Sequence, residues 1–182
     1  MIITFLDVES TSTKFDLNNL KKSDRVIELA MLSYNLDTRE LVESFEERFY
    51  VDKTIAAQAE LVHGISERDL LGKGRFAAFE PEITRILNKT DVLVGHNLVD
   101  FDINFMLVEY AICGKKIPDK FKLFDTIDSR WATSFGKLPS LAELCWATGV
   151  KYDPALAHSA LFDIEVLAQC FFIGLDNEVY KV

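Results

Sequence analysis

Glycine and proline are scarce, 8 and 4 among 182 residues, which excludes collagen-like, linker-like and low-complexity chains. Cysteine is scarcer still. Cys113, Cys145 and Cys170 are odd in number and lack metal-type spacing, so reduced, mostly buried thiols of a cytosolic protein are expected rather than a disulfide framework. No apolar run approaches membrane-spanning length. The start, Met1-Ile2-Ile3, has no basic flank and soon reaches Asp7, so no signal peptide is expected. Positive charge is also short, 20 Lys and Arg against 29 Asp and Glu, a net charge of −9. Such a chain does not draw nucleic acid through its overall field. Either nucleic acid is not the substrate, or the acids gather where metals neutralise them and contact is confined to a chain end. What the sequence has in plenty is hydrophobic residues, 49% with 12% aromatic, enough at this length for one domain with a substantial core.

The opening residues 2–8 read as a buried strand, and on a strand Asp7 and Glu9 share one face while Leu6 and Val8 share the other. Paired carboxylates repel, and a divalent cation such as Mg²⁺ or Mn²⁺ relieves them. A solvated edge would serve equally for this pair taken alone. Ser10-Thr11-Ser12-Thr13 is a hydroxyl-rich turn able to hold a phosphate or a sugar, though such runs also serve as plain turns. Two strands, 25–36 and 41–51, joined by Asp37-Thr38-Arg39-Glu40, read as a hairpin. Glu28 lies mid-strand and is read as an edge residue facing solvent, with a weak claim to a site.

Residues 54–62 read as a helix, leading to His63, for which a structural imidazole is the ordinary reading; Ser66 and Asp69 form a cap pattern. Phe76, Phe79, Ile83, Ile86 and Leu87 recur at helical spacing over 75–88. The strand 91–95 runs through His96-Asn97 into a helix over about 101–113, a crossover unit. Asp100 and Asp102 are separated by roughly 200° on a helix, so only one can face a given site. Lys115, Lys116, Lys120 and Lys122 form the one basic cluster, a solvated loop or a phosphate contact. A helix is expected over 125–134, and Ser140 with Glu143 is a capping box. Trp131 and Trp146 are read as core. The last helix starts around Ala157 and runs to about Leu175. Asp163 lies among its core positions and needs a partner, and His158 sits at or before its start.

Taken together, Leu6-Asp7-Val8-Glu9-Ser10-Thr11, Gly95-His96-Asn97 through Phe101-Asp102, and His158 through Asp163 resemble the DEDDh class of 3′–5′ exonucleases. That family includes the proofreading subunits of bacterial replicative DNA polymerases, ribonuclease T and oligoribonuclease. Val62-His63-Gly64-Ile65, Phe124-Asp125-Thr126 and Ser140 to Cys145 add to the likeness, which covers residues 1 to about 174.

The resemblance implies a ribonuclease-H-like α/β fold: a five-stranded mixed sheet, three strands antiparallel and two parallel, flanked by helices. It implies one exonuclease domain over 1–182 with a short C-terminal tail from about 175. By the same likeness Asp7, Glu9, Asp102 and Asp163 hold two divalent cations, Mg²⁺ or Mn²⁺, and His158 is the general base. Ser10, Thr11, Ser12, His63 and Phe101 would contact the terminal nucleotide. The implied reaction is hydrolysis at single-stranded or frayed 3′ ends, DNA before RNA, releasing nucleoside 5′-monophosphates. An imidazole, titrating near ~6.5 when unperturbed, suits proton removal from the attacking water at neutral pH.

Two departures stand out. Three residues, Leu98-Val99-Asp100, separate Asn97 from Phe101 where the proofreading subunit usually has two, leaving Asp100 as a rival to Asp102. Ser12 replaces the usual glycine after the first motif. The sequence also has nothing resembling a polymerase-tethering extension, so a free-standing nuclease, or one recruited through its surface, is expected rather than an orthodox polymerase subunit. The alternatives are an exoribonuclease, a nuclease-fold binding module without activity, and a small-molecule metallohydrolase. The intact acid quartet weighs against the module, and a single placed histidine against a zinc-type site.

Overall fold

Strand β1 (Ile2–Ser10) lies at the centre of a five-stranded sheet because both its faces are apolar and buried. The computed structural model describes residues 1–182. β2 (Val26–Asn35) and β3 (Leu41–Arg48) extend the sheet on one side as an antiparallel meander. β4 (Val92–Gly95) and β5 (Lys122–Asp125) add in parallel on the other, giving the order β3-β2-β1-β4-β5. This is the mixed ribonuclease-H-like sheet that the resemblance implied.

Strand alternation divides the core in two. Ile3 and Phe5 face α4 (Leu141–Thr148) and α5 (Ala160–Asp176), packing with Leu144, Ile164, Leu167 and Phe171. Leu6 and Val8 face α2 (Phe76–Leu87) and α3 (Asp102–Ile112), packing with Ile83, Phe105 and Tyr110. A smaller cluster of Ile27, Val51, Ile55, Ile65 and Leu70 seats the segment that carries α1 (Ala57–His63). Ser66 and Asp69 make their capping box there, on a short 3-10 turn. No helix is long and apolar enough to cross a membrane.

The β1–β2 register shifts just after Glu9: Glu9 pairs with Glu28, and Ser10 with Val26, leaving Ile27 as the extra residue of a bulge. Bulges twist a strand and re-aim its side chains. Here the bulge ends the ladder where the chain turns away from the Asp7–Glu9 face.

Several expectations are corrected. No α-helix forms over 125–134; three 3-10 turns, 126–128, 130–132 and 134–136, occupy that region, preceded by β5. β5 escapes direct reading because it is a four-residue edge strand whose Lys122 and Leu123 are exposed, so no alternation shows. The basic cluster Lys115–Lys122 lies at the start of β5, level with Val92 and Ile3, whereas the paired acids lie beyond the opposite end of the β1–β4 ladder. It is a solvated loop and strand edge, not a neighbour of those acids.

Trp131 and Trp146 are not core. Trp131 is exposed on one side, edge-on to Tyr180 at 5.9 Å, and Trp146 is 71% exposed. The tail expected from about 175 is docked: Tyr180 stacks on Phe171, and its hydroxyl meets Ser129 Oγ at 2.5 Å.

Gly95 closes β4 where no side chain fits. A Cβ there would lie 2.8 Å from Leu98 Cβ and 3.1 Å from the Leu6 carbonyl oxygen. Gly95→Ala is therefore expected to cost about 1–3 kcal/mol through forced backbone shifts, read as a lower urea midpoint at unchanged m-value.

Candidate active site

Each functional side chain is delivered by a different constraint. Asp7 and Glu9 follow Phe5 on the α5-facing side of β1, the strand period carrying that face past the apolar core into a cleft. Asp102 opens α3, where the helix N-terminus favours an acid. Its Oδ1 accepts the Val8 N–H at 2.9 Å, tying the helix to β1 between the other two acids. Asp100 is exposed on the preceding loop and does not compete. Asp163 sits in the first turns of α5, and its Oδ2 accepts the His158 N–H at 3.1 Å. His158 is held at φ 63, a left-handed conformation uncommon outside glycine.

One cavity of about 570 Å³ is lined by Asp7, Glu9, Asp102, His158 and Asp163 together, with Phe101. Ligand atoms of Glu9, His158 and Asp163 lie within 4.8 Å of one another. A second cavity, about 260 Å³, shares Glu9, Val62 and Phe101 with the first and adds Ser10, Ser12 and His63. His63 Nε2 is buried there without a hydrogen-bond partner, and burial lowers the imidazole pKa.

Thr11 does not join them. It is fully buried, its hydroxyl reaching Asp24 Oδ1 at 3.4 Å and accepting the Arg25 N–H at 3.0 Å. Ser10 Oγ is engaged with the Ser12 carbonyl at 2.5 Å.

The electrostatics are those of an uncompensated acid cluster. Burial raises the Asp7 carboxyl well above the carboxylate range, and Asp102, Glu9 and Asp163 raise it further. Glu9 is pushed up to about 9 by burial and then by Asp163, Glu28 and Asp102. Asp102 is raised by burial, partly offset by the Val8 N–H, and Asp163 is raised by burial to about 6. Asp163 Oδ1 is buried with no partner at all. Four carboxyls that cannot all ionise in this space, one with an orphaned oxygen, are an oxygen donor set suited to hard divalent cations. The residues fit that group.

Three supports were not legible as such. Glu28, read as a solvent-facing edge residue, is 1% exposed because its row of the sheet runs Glu9–Glu28–Arg48 beneath α5. Its Oε1 meets Arg48 Nε at 2.7 Å and its Oε2 accepts the Ala160 N–H at 3.0 Å, capping α5 from a neighbouring strand. Asp125, noted only as part of the Phe124-Asp125-Thr126 likeness, accepts the Asn97, Val99 and Ile127 N–H groups at 2.8, 2.9 and 3.0 Å. It thereby fixes the loop that delivers Asp102. His96 bridges Thr126 Oγ1 and the Pro139 carbonyl, each at 3.0 Å, holding the lead-in to α4 against β4.

With this geometry, the comparisons decide the family. An exonuclease family model, that of the ribonuclease T type, matches residues 4–171. The chain belongs to that exonuclease family. The DNA polymerase III subunit epsilon of Escherichia coli K12 is 29% identical to this family member over 123 residues, 66% of the chain and 50% of the relative. The 3′-5′ exonuclease DinG of Bacillus subtilis is 28% identical over 173 residues, 94% of the chain and 17% of the relative. The chain thus spans half of one relative and under a fifth of the other. Among solved structures, E. coli exonuclease I in complex with a dT13 oligonucleotide superposes with a TM-score of 0.77 at 20% identity, covering 95% of this chain and 40% of that one. The nuclease domain of 3′hExo, a DEDDh family member bound to rAMP, gives 0.70 at 17%, covering 97% and 92%. Both share the fold.

Glu28→Ala would strand the buried Ala160 N–H and is expected to cost about 1–3 kcal/mol, with Glu28→Gln milder because it keeps an acceptor; thermal melts of the two variants check this. A pH dependence follows from the acids. A carboxyl whose folded pKa exceeds its unfolded one binds its proton more tightly when folded. Its contribution therefore favours folding below the unfolded pKa and is lost as pH rises, through about 6 for Asp163 and about 9 for Glu9. In EDTA the melting temperature is expected to fall from pH 5 to pH 9, and Glu9→Gln should flatten the upper part of that slope.

Proposed function

We propose that this family member is a 3′–5′ exonuclease that hydrolyses the terminal phosphodiester at single-stranded or frayed 3′ ends and releases nucleoside 5′-monophosphates. DNA is the preferred substrate. The observation that carries the reading is the arrival of Asp7, Glu9, Asp102, Asp163 and His158 in one cleft from three distant segments. The names of the relatives, a DNA polymerase subunit and an exonuclease solved with dT13, support DNA. One neighbour is described with rAMP, which favours a second reading as an exoribonuclease. A cytoplasmic setting belongs to the same proposal, on the strength of three free thiols.

Asp7, Glu9, Asp102 and Asp163 would hold Mg²⁺ or Mn²⁺. When bound, two such ions polarise the phosphoryl oxygens and ease both attack and departure. The chain's own residues do the rest. Phe101 lines both cavities, which supports a role for its ring in stacking on the terminal base while the scissile phosphate lies among the acids. Ser12 and His63, which line the second cavity, would meet the terminal sugar. His158, beside Glu9 and Asp163, takes the proton of the attacking water as the new P–O bond forms and the bond to O3′ breaks. Its backbone conformation and its N–H bond to Asp163 hold the chain at His158 against the acid cluster before substrate arrives.

The test incubates the protein with 3′- and 5′-labelled DNA and RNA strands in Mg²⁺, Mn²⁺ or EDTA, with Asp7→Ala as control. Laddering of the 5′-labelled strand, abolished by EDTA and by Asp7→Ala, is expected; no digestion of any polymer would refute the reading. His158→Ala is expected to lower kcat by about 10²–10⁴ while Mn²⁺ affinity changes little, and equal loss of both would contradict the general-base role.

A further inference from the structure

Phe135 is fully exposed and Trp146 nearly so, although nothing in the fold is gained by showing two large aromatic rings to water. Both line an open hollow of about 550 Å³, together with Lys137 and Glu143. Phe135 is moreover held at φ 62, a left-handed conformation that burial of its own ring does nothing to offset.

The hollow and the catalytic cleft are both lined by α4. Ser140, Leu141 and Ala142, around the start of α4, line the cavity that holds the four acids, and Trp146 follows Ala142 by four residues. Positions four apart stack on one face of a helix, so the indole lies one turn, about 5.4 Å, along the same face. The surroundings also differ from the rest of this acidic chain. Residues 129 to 142 are its longest stretch without aspartate or glutamate, and Arg130 and Lys137 lie within it. The next acid, Glu143, is neutralised by Lys137 at 2.7 Å. The segment between the hollow and the start of α4 thus carries no net negative charge to repel a polyanion. Exposed aromatic faces in a setting without net negative charge are chemistry able to hold single strands without reading their sequence.

We propose that Trp146 and Phe135 form a base-stacking subsite for the nucleotides upstream of the 3′ end, an assignment that rests on the exonuclease reading above. The subsite binds strands longer than the cleft alone can hold, so it acts on affinity and not on the chemical step. Both residues are exposed, so replacing them leaves the core untouched.

The experiment compares a dinucleotide with a roughly 15-nucleotide single strand as substrates for the wild type, the Trp146→Ala/Phe135→Ala double variant and Trp146→Phe. For the longer strand, the double variant is expected to raise KM about ten-fold or more at unchanged kcat. Dinucleotide turnover should be unaltered, and Trp146→Phe should retain most of the wild-type KM. An unchanged KM for the long strand would overturn the subsite and leave the patch to a protein partner. Equal losses on both substrates would also overturn it. Should the wild type digest neither strand, the exonuclease reading itself fails and the subsite with it; wild-type digestion without length-dependent loss refutes the subsite alone.

Discussion

Mutual repulsion among carboxylates is the constraint around which this molecule is built. Asp7 and Glu9 share a strand face, Asp102 reaches in from one side of the sheet and Asp163 from the other, and burial raises the proton affinity of each. Folding brings these groups together against their electrostatic preference, so the rest of the fold must hold them there. The two apolar faces of β1 supply that force: Ile3 and Phe5 are buried under α5, and Leu6 and Val8 under α3. The strand that carries the first acid pair is thus packed on both faces, and the destabilised site borrows its rigidity from the core.

Around the acids lies a set of hydrogen-bonded clamps, each joining segments far apart in sequence. Val8 N–H to Asp102 locks α3 to β1, Glu28 to the Ala160 N–H locks α5 to β2, and Asp125 gathers the loop between β4 and α3. Glu28 and Asp125 fix positions from outside the cleft, whereas the Val8 N–H holds the cleft residue Asp102 itself. Preorganisation of this kind is what lets charge be stabilised in a reaction without reorganising the protein at the moment of need.

The acids were legible because their chemistry is local. Asp7-Val8-Glu9 reveals a shared face through the strand period alone, and Asp163 among apolar helical positions demands a partner. The antiparallel hairpin, α2 and the Ser140–Glu143 cap were legible for the same reason, since periodicity and capping are short-range signals. Supports whose meaning depends on tertiary neighbours were not. Glu28 looks like a strand-edge acid until Arg48 and Ala160 N–H appear beside it, and Thr11 looks available until Asp24 and Arg25 engage it. Residues 125–134 carry helix-compatible side chains, yet Asp125 is committed to the 97–99 loop and Ser129 to Tyr180. Tertiary hydrogen bonds there outweigh helix propensity, and Trp131 is left partly at the surface.

The most direct test of the central claim is a thermal melt of wild type, Asp7→Asn, Glu9→Gln and Asp163→Asn, each with EDTA and with Mn²⁺. If the acids repel one another and share cations, each variant melts higher than wild type in EDTA, while Mn²⁺ raises the wild-type midpoint and leaves the variants nearly unmoved. Variants that melt lower in EDTA yet keep the full Mn²⁺ shift would show that these carboxylates neither oppose folding nor bind the metal.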